Sequence, residues 1–178
     1  METCRETFLD DIVAVWPLSV GVLTHAVPET VVRDTVKVTD LGNSSGVAFA
    51  DVDALRALLA TKVLLAEQDE GGNTLLLEEA PTLKIATNRS VSGYYYAVTL
   101  GMKTVYYREE EKAVIRAMEW EGCDYVVERR DGELCLLRYF APAQKFTHEM
   151  NGEGASLKME MTSVTGLQRI VEGDESDA

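Results

Sequence analysis

Tyr125-Val126-Val127-Glu128-Arg129-Arg130, then Asp131-Gly132, then Glu133-Leu134-Cys135-Leu136-Leu137-Arg138-Tyr139-Phe140, is a pair of apolar runs joined by an Asp-Gly dipeptide. That arrangement is the strongest short-range signal for a tight β-hairpin. With Asp131 and Gly132 as the two turn residues, Arg130 opposes Glu133, Glu128 opposes Cys135, Val127 opposes Leu136 and Tyr125 opposes Arg138. Both faces then carry aliphatic pairs, Val127/Leu136 on one and Val126/Leu137 on the other. A ribbon apolar on both faces is expected to be buried on both sides. In this register Cys123 and Cys135 lie on opposite faces, which argues against a disulfide between them.

Moving outward, Arg108 to Trp120 is rich in helix formers, with Val114, Ala117 and Met118 on one side and Gly122 as the stop. Asp51 to Thr61 predicts a second helix with the stripe Val52, Leu55, Leu58, Leu59 and Asp51 as N-cap. Arg5 to Val15 predicts a third, from Phe8, Ile12 and Val15 at near-helical spacing, ended by Pro17. Strands are expected at Leu18–Ala26 and Thr35–Thr39. Lys62–Glu67 and Thr74–Glu79 are expected to pair around Asp69-Glu70-Gly71-Gly72-Asn73 as a hairpin. Thr82–Thr87 and Tyr94–Leu100 form another, with Lys103–Tyr107 as its extension. Ser156 to Ser163 alternates Leu157, Met159 and Met161 against Lys158, Glu160 and Thr162, the pattern of a half-buried strand.

These elements predict a single α+β domain over residues 1–170, a mainly antiparallel sheet or meander with about three helices. Residues 171–178 read as a short, acidic, disordered tail. The 178 residues are long enough for a proper core, and the 46% hydrophobic content agrees with one. The longest uncharged run, Ile12 to Pro28, is interrupted by Pro17 and Gly21 and falls short of a membrane span. Acidic residues precede it where a secretory leader would carry positive charge. Three cysteines, Cys4, Cys123 and Cys135, without paired spacing fit a reducing compartment, so a cytoplasmic or nuclear location is expected.

Thirty acidic against 17 basic residues give a net charge of −13. Binding phosphate backbones relies on positive charge, so duplex nucleic acid is disfavoured as a partner. Proteins or small molecules suit this surface better.

Three motifs bear on chemistry. Gly42-Asn43-Ser44-Ser45-Gly46 matches a nucleophile elbow, with Asp124 or Asp131 and His148 downstream to complete a triad. An elbow serine sits between a strand and a helix that starts at once, whereas the next predicted helix begins at Asp51; the stretch reads as a polar loop. Asp51-Val52-Asp53 follows an apolar run, a pattern that holds a divalent ion in some phosphoryl- and nucleotidyl-transfer sites. A cap and a dipole-favoured first-turn acid account for the same pair. The two histidines and three cysteines show no zinc-ligand spacing, and no phosphate-binding glycine motif occurs.

Seven tyrosines are the more informative set. Tyr94-Tyr95-Tyr96, Tyr106-Tyr107, Tyr125 and Tyr139 fall on predicted strands or their ends. Tyrosine and arginine are enriched where proteins meet. The candidate interface is therefore Tyr95, Tyr107, Tyr125, Arg129, Arg130 and Arg138. The leading expectation is a non-catalytic protein-binding adaptor or complex subunit without a cofactor. The alternatives are a divalent-metal-dependent transferase using Asp51 and Asp53, and a small-molecule-binding module.

Overall fold

The computed structural model describes residues 4–9, 12–25, 35–68, 73–91, 93–138, 144–163 and 167–173. In chain order the first strands are β1 (Cys4–Leu9), β2 (Ile12–Ser19), β3 (Thr24–His25), β4 (Thr35–Lys37) and, after a 3-10 turn, β5 (Leu41–Gly42). Helix α1 (Val52–Leu59) leads to β6 (Leu64–Ala66), β7 (Thr74–Leu76), β8 (Thr82–Ser90) and β9 (Gly93–Thr104). Helix α2 (Glu109–Glu121) is followed by β10 (Cys123–Arg129), β11 (Leu134–Leu137), β12 (Lys145–Asn151), β13 (Gly154–Ser163) and β14 (Leu167–Val171). Among the described residues no helix is long and apolar enough to cross a membrane.

The chain is α+β and dominated by sheet. Five strands form an antiparallel sheet in the order β1-β8-β9-β13-β12, and seven form a mixed one in the order β4-β14-β11-β10-β2-β6-β7. One core lies between them. Leu83, Val98, Leu100, Leu157, Met159 and Met161 of the first sheet meet Ile12, Val15, Tyr125, Val127, Cys135 and Leu137 of the second, with Ile115 and Met118 of α2. A second core covers the far face of the seven-stranded sheet. There Trp16, Leu18, Val126, Leu134 and Leu136 pack under Leu55 and Leu59 of α1 and under Val38, Leu41 and Phe49. The β10–β11 ribbon is thus buried on both faces, as its two apolar sides require.

The register of that ribbon is one residue away from the expected one. Val126 opposes Leu136, Val127 opposes Cys135 and Glu128 opposes Leu134. Arg129 N–H donates to the Glu133 carbonyl at 2.9 Å and Gly132 N–H to the Arg129 carbonyl at 2.8 Å. The loop therefore holds three residues, Arg130 to Gly132, with Gly132 at φ +91°. Asp131 favours this form because its Oδ1 accepts from Glu133 N–H at 2.9 Å. A slip of one residue exchanges the faces. Cys123 and Cys135 consequently share the inter-sheet face, both buried and both free thiols.

The expected helix over Arg5–Val15 is β1 and β2, so the chain has two helices rather than three among the described residues. The reason is visible in β2. Glu128 pairs with Ala14 but Arg129 with Ile12, so Val13 is a bulge. The extra residue brings Ile12 and Val15, three apart, onto one face. That spacing imitates a helix. The expected strand over Leu18–Ala26 ends at Ser19 and resumes only as β3, and Ala26 lies outside the described residues.

β6 and β7 are not a hairpin: they pair in parallel, Leu65 with Leu75. β7 finds an antiparallel partner elsewhere. Val105 N–H donates to the Leu76 carbonyl at 3.0 Å and Glu78 N–H to the Lys103 carbonyl at 2.8 Å, joining the two sheets at this side. β8 and β9 do form the expected hairpin, and β9 continues past Gly101 to end at Thr104 rather than Tyr107. β13 buries Leu157, Met159 and Met161 as expected. Val171 belongs to β14, and both Glu172 carboxylate oxygens lie 3.3 Å from Val52 N–H, so the fold reaches into the expected tail. Residues 174–178 lie outside the described residues.

Candidate functional site

The six candidate interface residues occupy separate places. Tyr125 is a correction: it is fully buried at 0% exposure, inside the inter-sheet core, and offers nothing to a partner. Tyr95 sits opposite Asn88 on the outer side of the five-stranded sheet, since its neighbour Tyr96 packs on the core. Arg129 ends β10, ion-paired with Glu133 at 3.6 Å, and Arg130 begins the β10–β11 turn. Arg138 follows β11, and burial holds its guanidinium below the usual range. Tyr107 lies beside α2, and it is there that the structure assembles exposed aromatic side chains.

Helix α2 turns Ile115 and Met118 into the core and leaves Ala113, Arg116 and Trp120 exposed. Positions three, four and seven apart share a helix face, so Ala113, Arg116 and Trp120 form one outward stripe. Trp120 is 75% exposed, with the Arg116 guanidinium 5.7 Å from its ring centroid. In front of the helix, Tyr106 is 39% exposed and carries the Arg108 guanidinium at 4.4 Å. A hydrogen bond to Glu111 raises the Arg108 pKa, against some opposition from desolvation.

α2 packs on β12, the last strand of its sheet. His148 fastens the two. Its Nδ1 lies 3.2 Å from Glu119 Oε2 and its Nε2 3.3 Å from the Tyr107 hydroxyl. The Tyr107 and Phe146 rings flank the imidazole at centroid distances of 6.1 and 6.4 Å. Lys112 Nζ stands 5.5 Å from the Tyr107 ring centroid. Two residues beyond His148, Met150 is 65% exposed. Trp120 and Met150 were missed from the sequence, and Tyr106 was noted among the tyrosines without being placed in the candidate interface. Their signals were the polar stripe of α2 interrupted by a tryptophan, and the alternation Phe146, His148, Met150 in a strand that went unread.

The elbow serine and the aspartate pair are placed as parts of loops and caps. Ser44 is exposed in a turn closed by Asn43, whose Oδ1 accepts from Ser45 and Val47 N–H groups at 2.9 and 3.1 Å. His148 is engaged by Glu119 and Tyr107, and Asp124 is buried in the seven-stranded sheet. Asp51 caps α1, its Oδ1 accepting from Ala54 N–H at 2.8 Å, and Asp53 follows in the first turn. Among the described residues no group of three or more His, Cys, Asp or Glu side chains comes together as a metal site. No family model, no curated protein and no solved structure matches the chain.

Proposed function

We propose that this is a non-catalytic protein-binding protein, an adaptor or the subunit of a larger assembly, which engages its partner with the outer face of α2 and the neighbouring β12. The observation that carries the reading is Trp120, 75% exposed on a helix whose other face sends Ile115 and Met118 into the core. Exposing an indole to water forgoes roughly 2 kcal/mol of burial, so a tryptophan held out beside arginine has the character of an interface anchor. Met150 and Tyr106 add apolar surface of the kind enriched where proteins meet. The net charge of −13 keeps such a surface soluble until it is covered.

The test compares two exposed apolar residues. Trp120→Ala and Val91→Ala each remove one, and Val91 sits in the β8–β9 turn at 107% exposure. The wild-type protein is used to capture a stoichiometric partner, and the purified pair is then titrated calorimetrically. Trp120→Ala is expected to weaken binding by about 30-fold, the effect of some 2 kcal/mol, while Val91→Ala leaves it unchanged. Equal affinity of Trp120→Ala and wild type would remove the reading. Light scattering on the pure chain separates the case in which the partner is a second copy.

A further inference from the structure

A cavity of about 300 Å³ opens on the flank of α2 that faces β2. Its walls are Val114 and Met118 of α2, Pro17 and Leu18 at the end of β2, and Val63 ahead of β6. The sequence leaves this space open. Ala113 and Ala117, which also line it, lie one turn apart on the same flank, so two methyl groups stand where larger side chains would fill it. The opposite flank of the helix is occupied, with Glu119 reaching His148 of β12 at 3.2 Å. Leu18, Met118 and Cys123 are buried, so the floor of the cavity is continuous with the core.

Lys62 is the one charged residue among the described residues that line the cavity. It follows α1, is half-buried, and has no ion-pair partner among the described residues. A lysine so placed lays its methylene stem along apolar surface and keeps its ammonium at the rim. The C-terminal end of α1 supplies only partial negative charge to balance it. An apolar cavity with one unbalanced ammonium at its mouth fits an amphiphile that carries a single negative charge. The described lining holds no aromatic side chain, so nothing there stacks a ring, and a flexible aliphatic tail is the match. At about 30 Å³ for each water-sized group, the space takes roughly ten non-hydrogen atoms.

We infer that this cavity binds a medium-chain aliphatic carboxylate of the size of octanoate. The tail lies between α2 and the end of β2, and the carboxylate pairs with Lys62. The volume stands at the lower end of small-ligand sites, and a mainly apolar lining with one placed charge is what such sites show. The inference goes beyond the protein-binding reading and stands without it, since it uses neither Trp120 nor Met150.

Octanoate and octanol share a tail and differ in charge, so titrating each into the isotope-labelled protein at about 0.15 M NaCl, followed by amide NMR, tests it. Octanoate is expected to shift the Val63 and Ala117 signals and to bind with a Kd below about 1 mM, and octanol at least about tenfold more weakly. Hexanoate, shorter by two methylenes, is expected to bind about tenfold more weakly than octanoate. Lys62→Met keeps an unbranched stem and removes the charge. It is expected to weaken octanoate by about tenfold, level with octanol, and to leave the melting temperature unchanged. Ala117→Phe, which fills the cavity, is expected to abolish binding while the amide spectrum stays that of a folded protein. No saturable shift from octanoate, equal affinity of the wild type for octanoate and octanol, or a Lys62→Met protein that binds octanoate as tightly as wild type overturns the assignment.

Discussion

Tyr125 presents the sharpest tension at the scale of single residues. Its ring fills the inter-sheet core at 0% exposure, yet its hydroxyl has no hydrogen-bond partner among the described residues. A buried hydroxyl left unsatisfied costs about 1–3 kcal/mol. Tyr125→Phe keeps the ring and removes the orphaned group, so it is expected to raise stability by about 1 kcal/mol in urea melts at neutral pH. Burial, with a smaller contribution from Cys123, pushes the phenol well above its ordinary value of about 10. The sign follows from that. The folded state favours the neutral form, so its advantage is complete below about pH 10 and is lost as pH rises from there toward the folded value. Melts of wild type and Tyr125→Phe at pH 8 and pH 11 should therefore diverge further at the alkaline point. A constant difference would mean that the hydroxyl is solvated in the folded protein.

Asp51 belongs to the same scale and carries the decision about metal. As an N-cap it accepts from Ala54 N–H, a role that asparagine fills equally well and alanine does not. Asp51→Ala is expected to cost about 1 kcal/mol and Asp51→Asn close to nothing. Losses of equal size for both variants, accompanied by a melting temperature that responds to Mg²⁺ or Mn²⁺, would show the carboxylate acting as a ligand.

At the scale of elements, most of what the sequence made legible was local and most of what it hid was pairing. The α1 cap, the start of α2 after Arg108 and the alternation of β13 each depend on neighbours in sequence, and each was readable. The β10–β11 hairpin was readable as a hairpin, but its register turned on whether Arg130 joins the loop. That choice rests on the Asp131–Glu133 hydrogen bond rather than on the Asp-Gly dipeptide alone. The Val13 bulge converted strand spacing into helix spacing and misled the reading of residues 5–15. The parallel β6–β7 pair depends on distant contacts with Lys103 and Val105. The candidate site was half legible: Tyr107 was named, whereas Trp120 sat unremarked at the end of a helix that was read and Met150 lay on the unread strand β12.

One connection between elements went unforeseen and can be tested. Cys123 opens β10, and beside it a side chain does the work of a strand. Cys123 N–H donates to Gln144 Oε1 at 2.9 Å, and Gln144 Nε2 donates to the Cys123 carbonyl at 2.9 Å. The same amide nitrogen reaches Met161 Sδ at 3.6 Å, tying β10 to the opposite sheet. Gln144→Ala strips both hydrogen bonds from a buried residue and is expected to cost about 2 kcal/mol in urea denaturation. A loss below about 0.5 kcal/mol would mean that water replaces the amide without penalty.

For the molecule as a whole, the net charge of −13 on 178 residues makes self-repulsion a property of the entire surface. Among the described residues several ion pairs are exposed and weak: Lys103–Glu79 at 3.4 Å and Lys158–Glu160 at 3.6 Å both join well-exposed side chains. They do not offset the excess. Repulsion between exposed charges is screened beyond about 10 Å at 0.1 M salt, while close or half-buried pairs such as Arg56–Glu128 are screened much less. Raising NaCl from about 0.01 M to about 0.15 M should therefore raise the melting temperature by several degrees, because long-range repulsion fades before the short contacts do. A melting temperature that falls over this range would place the surface ion pairs, rather than the net charge, in control.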